Sequence, residues 1–167
     1  NIQTRLKMFR LGATAVHTGL SNELQRSNSL YDKFDFRGKS LTNFGFDYAL
    51  ILKSLTLFDE MSGSDNGGKA LLAGVTATPD PRLALSLIYR NYSKDYQNLF
   101  SNAFAEGSRN SNEKGIYAGI LVQLHKRVSL SAFADYFSFP WLRYGVDAPS
   151  HGEEYLAQLT YTPSRKT

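Results

Sequence analysis

The sequence predicts an all-β fold, a transmembrane antiparallel up-and-down β-barrel with eight strands in this chain, built as part of a larger barrel. Three observations predict it. Apolar and polar residues alternate with period two along most of the chain, which sends them to opposite faces of strands. The connections are short and long in turn, so antiparallel strands gather short turns at one end and long loops at the other, as in outer-membrane barrels. The residues opposite the apolar set are Gly, Ser, Thr, Asn and Gln with occasional charges, not the Lys and Glu of a water-facing surface.

Taken in order, segment 4–18 sets Phe9, Leu11, Ala13 and Ala15 against Arg10, Gly12, Thr14 and Val16. Segment 29–37 rests on Leu30, Phe34 and Phe36 with charges between them, and Arg37-Gly38-Lys39 follows as a short turn. Segment 40–57 opposes Phe44, Phe46, Tyr48, Leu50 and Leu52 to Asn43, Gly45, Asp47, Ala49, Ile51 and Lys53. Segments 69–78 and 83–92 flank Pro79-Asp80-Pro81-Arg82, a turn that suits prolines because they fix φ and cannot donate to a ladder. Segments 114–124 and 128–138 flank His125-Lys126-Arg127, and 153–162 closes the series. Long polar connections fall at 19–28, 58–68, 93–113 and 139–152.

At 167 residues, the chain 1–167 is one domain. It has no cysteine, which excludes disulfides, a thiol nucleophile and thiolate metal sites. The longest apolar run, Tyr48 to Leu52, is far too short for a membrane helix. The net charge of +4 is scattered, where a nucleic-acid reader gathers it into a stripe. The chain opens Asn1-Ile2-Gln3-Thr4 with no leader and ends on Thr162-Pro163-Ser164-Arg165-Lys166-Thr167, so it reads as a fragment of a longer protein.

Alternation alone does not say which face meets lipid. A lipocalin-like soluble barrel buries its apolar face; a membrane barrel turns it outward. The outward reading is favoured by Gly12, Gly45, Gly74 and Gly119 on the polar face, where glycine allows close approach across a lumen. It is also favoured by aromatics near strand ends, among them Tyr89, Tyr92, Tyr96, Tyr117, Tyr136, Phe137, Phe139, Trp141, Tyr155 and Tyr161, as in interfacial girdles.

The runs Arg90-Asn91-Tyr92-Ser93-Lys94-Asp95-Tyr96, Phe104-Ala105-Glu106-Gly107-Ser108-Arg109 and Asn112-Glu113-Lys114-Gly115-Ile116-Tyr117 resemble a group of Bacteroidota outer-membrane β-barrel proteins. So do Asp135-Tyr136-Phe137 and Phe139-Pro140-Trp141-Leu142-Arg143-Tyr144. That group is often labelled helix-hairpin-helix or DNA-uptake-like. The resemblance implies an outer-membrane location in a Gram-negative envelope. The helix-hairpin-helix repeats are absent here, so no DNA role and no catalytic residue carries over.

By parity, Arg10, Asp47, Lys53, Arg90, Asp135 and Glu154 are expected to face the lumen, where they set ion preference or pair across it. In the long loops, Glu106, Arg109, Glu113, Trp141 and Arg143 are expected to form contacts that gate the mouth or brace one loop on another. Ser150-His151 with Glu153 is the one local arrangement of hydrolase type, but neighbours on a strand point apart. Asp59, Glu60, Asp65 and Asn66 could hold Ca²⁺ in the 58–68 loop, although Asp-Asn-Gly-Gly more simply marks a turn. Arg90, Tyr92, Lys94 and Tyr96 interleave charge and rings as a strand-binding surface does.

The expectation is a non-enzymatic porin-like channel or transport component with no cofactor and no metal. A structural or accessory subunit of a larger outer-membrane complex, or a DNA-uptake component, are the alternatives. Outer-membrane lipid, lipopolysaccharide and other outer-membrane proteins are the expected partners, and nucleic acid is not expected.

Overall fold

The computed structural model describes residues 1–163, so Ser164–Thr167 of the C-terminal run lie outside the described residues. Among the described residues, nine strands make one antiparallel sheet in strict chain order. They are β1 (Ile2–Leu6), β2 (Phe9–Leu24), β3 (Gly38–Leu52), β4 (Leu55–Ser64), β5 (Lys69–Asp80), β6 (Leu83–Tyr92), β7 (Glu113–His125), β8 (Val128–Phe139) and β9 (Ser150–Tyr161). The sheet is an open meander with β1 and β9 as its edges, not a closed barrel.

Three differences turn the expected eight strands into nine. Segment 4–18 breaks at Lys7-Met8 into β1 and β2, and segment 40–57 breaks at Lys53-Ser54 into β3 and β4. Most of the expected 58–68 loop is therefore strand. Both hairpins turn on a lysine with positive φ, 46° at Lys7 and 39° at Lys53. Such two-residue turns usually place Asn or Gly there, so neither carried a turn signal. Segment 29–37 is no strand. It lies in the β2–β3 loop, with one 3-10 turn at Leu30–Asp32, and Gly38 opens β3 instead of turning. Phe36 is buried by loop packing, not by strand pairing.

Despite these shifts, tight turns gather at one end, at 7–8, 53–54, 81–82 and 126–127. The opposite end carries the connections 25–37, 65–68, 93–112 and 140–149.

Residues paired across antiparallel strands share a face, so register gives each face row by row. One row runs Phe9, Leu50, Leu57, Val75, Leu87, Ala118, Ala134, Tyr155. One step toward the loops comes Leu11, Tyr48, Asp59, Ala73, Tyr89, Ile116, Tyr136, Glu153, which brings in three tyrosines and two carboxylates. The next row begins Phe46, Met61, Leu71 and ends Asn91, Lys114, Ser138, His151. This outer face is thus apolar near the turns and edged by tyrosine; beyond that edge it stays apolar on β3–β5 and turns polar on β6–β9. Tyr136 and Tyr155 meet edge to face at 5.7 Å, with their hydroxyls 2.5 Å apart.

The other, inner face carries Arg10, Ala49, Phe58, Gly74, Ile88, Tyr117, Asp135 and Glu154 in one row. The row beside it is Gly12, Asp47, Glu60, Leu72, Arg90, Gly115, Phe137, Gly152. The long loops fold across this face near their own end. Among the described residues, every buried side chain belongs to the inner face or to those loops, including Leu41, Tyr92, Tyr96 and Phe139. Among the described residues, none on the outer face is buried; Phe44, Leu87, Ile116 and Leu159 stay 45–66% exposed.

The expected aromatic girdle divides accordingly. Tyr89, Tyr136, Tyr155 and Tyr161 are on the outer face, whereas Tyr92, Tyr117, Phe137 and Phe139 are on the inner one, and Tyr96 and Trp141 are in loops. Strand-end position cannot resolve this, because neighbouring residues alternate in direction.

Candidate functional site

Among the described residues, Arg90 on β6 and Glu113 on β7 are charged groups with no exposed side-chain surface. Arg90 Nε donates to Glu113 Oε1 at 2.5 Å and its Nη1 to Asp135 Oδ1 at 2.9 Å. Three adjacent strands therefore meet at one guanidinium. Its Cζ also lies 5.3 Å from the centre of the Phe104 ring. Nη2 has no hydrogen-bond partner. A planar fork is the side chain suited to two carboxylates at once, where the lysine ammonium is a single point.

Space for that guanidinium comes from Gly115, directly opposite on β7. A Cβ there would fall 2.5 Å from Arg90 Cζ. Gly152 likewise lies under the Phe137 ring, 2.6 Å from where its Cβ would be. Gly115→Ala is expected to cost about 1–3 kcal/mol through forced displacement of Arg90. Gly19→Ala, with nothing within 4 Å, should stay near wild type. Urea unfolding midpoints of the two variants test this.

Glu113 also fixes the 93–112 loop. Its Oε1 accepts the Glu106 N–H at 2.8 Å and its Oε2 the Gly107 N–H at 2.9 Å. Phe104, held by Tyr92 Oη donating to its carbonyl at 2.8 Å, stands edge to face on Tyr117 at 5.3 Å. Farther along, Asn43 donates to the Gln97 carbonyl and Ser62 bonds Tyr96 Oη, both at 2.7 Å. The loop thus roofs β3–β8. Between roof and sheet lies a cavity of about 230 Å³ whose lining includes Asn43, Asp47, Glu60, Ser62, Tyr92 and Asn98.

A second set of contacts joins the loops to one another around Trp141. Its Nε1 donates to the Leu30 carbonyl at 3.0 Å, 111 residues away. Its ring meets Phe34 edge to face at 5.0 Å, and Asn112 brackets its backbone N–H and carbonyl. Tyr144 stands edge to face on Tyr31 at 5.6 Å. Arg109 Nη1 donates to both Asp35 oxygens at 2.6 Å, and Arg143 Cζ lies 3.8 Å from the centre of the Phe139 ring.

Of the expected lumen charges, Arg10, Asp47, Arg90, Asp135 and Glu154 all project from the inner face. Lys53 does not, because it occupies the β3–β4 turn. Arg90 and Asp135 pair, while Asp47 lies across from Glu60, one carboxylate beside another. Glu60 joins this face because it lies in β4 and not in the expected 58–68 loop. Of the expected loop residues, Glu113 is the first residue of β7 and lies under the roof, so it is a buried sheet residue. Glu106 and Arg109 belong to the 93–112 loop, and Trp141 and Arg143 to the 140–149 loop.

Three further sequence readings change with the structure. Ser150 and His151 project from opposite faces of β9, so this pair cannot share a proton. Asp59 and Glu60 take opposite faces of β4, while Asp65 accepts the Thr42 N–H in the turn beyond, so these groups do not converge. Arg90, Tyr92 and Tyr96 are buried, which leaves Lys94 alone of that series for an outside partner.

No protein-family model and no curated protein matches the chain. Fold and site together define it as an all-β antiparallel meander with a loop-roofed inner face.

Proposed function

We propose that this chain forms part of a transmembrane β-barrel in a Gram-negative outer membrane and acts, without catalysing a reaction, as a porin-like channel or transport component. The observation that carries the reading is the outer face. None of its described residues is buried by the rest of the chain, although its rows near the turns are almost wholly apolar. In water such a face would be a large exposed apolar patch; against lipid it is matched. The alternating outer-face residues of β8 from Val128 to Tyr136 span about 27 Å along the strand, close to a tilted crossing. Tyr48, Tyr89 and Tyr136 fall where an interfacial girdle would, with Asp59 and Glu153 in the same row. The resemblance to Bacteroidota outer-membrane barrels agrees with this orientation, with tight turns in the periplasm and long loops outside.

Among the described side chains of the two central inner-face rows, Asp47, Glu60, Asp135 and Glu154 outnumber Arg10 and Arg90. An acidic lining favours cations. Planar-bilayer recording under a salt gradient is expected to give discrete steps with a reversal potential on the cation side. A silent bilayer, with a second outer-membrane protein co-purifying, would support the other reading that the loop roof favours, a structural subunit. DNA binding that weakens steeply with salt would instead support the uptake component.

A further inference from the structure

We infer that the loop cluster around Trp141 is a binding site for a phosphorylated sugar. It does not depend on the sheet crossing a membrane, because the loops and the loop-side end of β8 build it. A cavity of about 380 Å³ opens between the 25–37, 93–112 and 140–149 loops, walled by Phe34, Lys94, Arg109, Ser111, Trp141 and Arg143. That size lies within the range of small-molecule pockets.

The charge of the wall decides the ligand's sign. Lys94 Nζ sits 4.4 Å from the centre of the Phe34 ring and 4.8 Å from that of Trp141. Lys33 Nζ approaches the same rings at 5.7 and 5.8 Å. Among the described residues, the cations with a carboxylate within 4.0 Å are Arg26, Arg82, Arg90 and Arg109. Lys33, Lys94 and Arg143 thus have aromatic partners but no acidic one. Asp35, the acidic residue on the wall, is already engaged by Arg109 and Arg26. The pocket therefore carries uncompensated positive charge, held in place by ring faces.

Ring and hydroxyl chemistry narrows the class further. Tyr31 and Tyr144 add aromatic rings to the lining, and Ser108 and Ser111 add hydroxyls. An anion that also carries a ring and hydroxyl groups meets all three features. A nucleic-acid strand meets them less well, because stacking needs bare ring faces and here Phe34 and Trp141 are covered by ammonium groups. The same chemistry is offered by a free glycan phosphate and by the phosphorylated headgroup of a lipid.

Trp141 is the single tryptophan of the chain, so its fluorescence reports on this pocket alone. The purified chain in detergent would be titrated with glucose 1-phosphate, glucose, sodium phosphate, detergent-dispersed lipid A and a short single-stranded oligonucleotide. Glucose 1-phosphate is expected to give a saturable change, and glucose none. Lys94→Gln and Arg143→Gln, measured separately, should each raise the midpoint at least tenfold. Lys126→Gln, at the turn end, should leave it unchanged. A lower midpoint for lipid A than for glucose 1-phosphate would assign the site to a lipid headgroup, and the reverse order to free glycans; both support it. No response to either sugar phosphate, or an equal midpoint for inorganic phosphate, would overturn it. Saturation by the oligonucleotide alone would replace it with a nucleic-acid site. Because the unaltered chain decides these outcomes, a variant that misfolds leaves the test intact.

Discussion

Arg90→Met is expected to destabilise the sheet by about 3–5 kcal/mol, the scale for stripping one partner from a buried ion pair. The reason is what remains. Glu113 and Asp135 would stay buried, both acidic, with their shared cation gone. Arg90→Lys should recover only part of the loss, because an ammonium cannot reproduce the fork that reaches two carboxylates. A triple change, Arg90→Met with Glu113→Gln and Asp135→Asn, should recover more than the lysine, since no charge is then left unpaired. Urea midpoints across the four proteins decide the order. The same variants should loosen the 93–112 loop, because Glu113 holds the backbone at Glu106 and Gly107. Faster tryptic cleavage after Arg109 in Arg90→Met is the second readout. Unchanged stability together with unchanged cleavage would show that the node does not hold the roof down.

Leu85→Arg is expected to cost about 2–4 kcal/mol on refolding into lipid vesicles, the penalty for arginine near the middle of a barrel's lipid face. Leu85 shares an outer-face row with Leu52, Leu55, Ala77, Ile120, Ala132 and Ala157, and is 40% exposed. Ser86→Arg, one residue along, should cost less, because Ser86 projects from the inner face beside Gly119. The pair shares sequence neighbourhood and strand position and differs in face. Equal costs at the two positions would defeat the lipid-facing assignment.

The face of a strand read whole was legible because alternation is local: Leu83, Leu85, Leu87 and Tyr89 against Ala84, Ser86, Ile88 and Arg90 needs no knowledge of distant partners. Strand number was not, because Lys7 and Lys53 adopt the left-handed conformation that usually announces itself as glycine or asparagine. The buried node was half legible. Parity put Arg90 and Asp135 on one face, but Glu113 sits at the boundary of a polar loop, where period two has not begun, and it read as a loop charge. The Trp141 cluster was legible only as a set of residue types. Loops have no period, and contacts such as Trp141 with Leu30 are fixed by the sheet's order, which brings remote connections to the same end.

The two edges of the sheet have a geometric consequence. Strands in a meander reverse direction at every step, so in a sheet of nine the first and last point the same way. β1 and β9 both run from the loop end to the turn end, and joining them directly would make a parallel seam in an otherwise antiparallel wall. β9 is also an inviting edge: twelve residues, paired with β8 without a bulge, and carrying neither lysine nor proline to deter a neighbour. A ring with only antiparallel seams therefore needs an odd number of strands inserted between β9 and β1, the first of them climbing from the turn end. The smallest such ring has about ten strands, and every larger one keeps an even count, as single-chain bacterial barrels do.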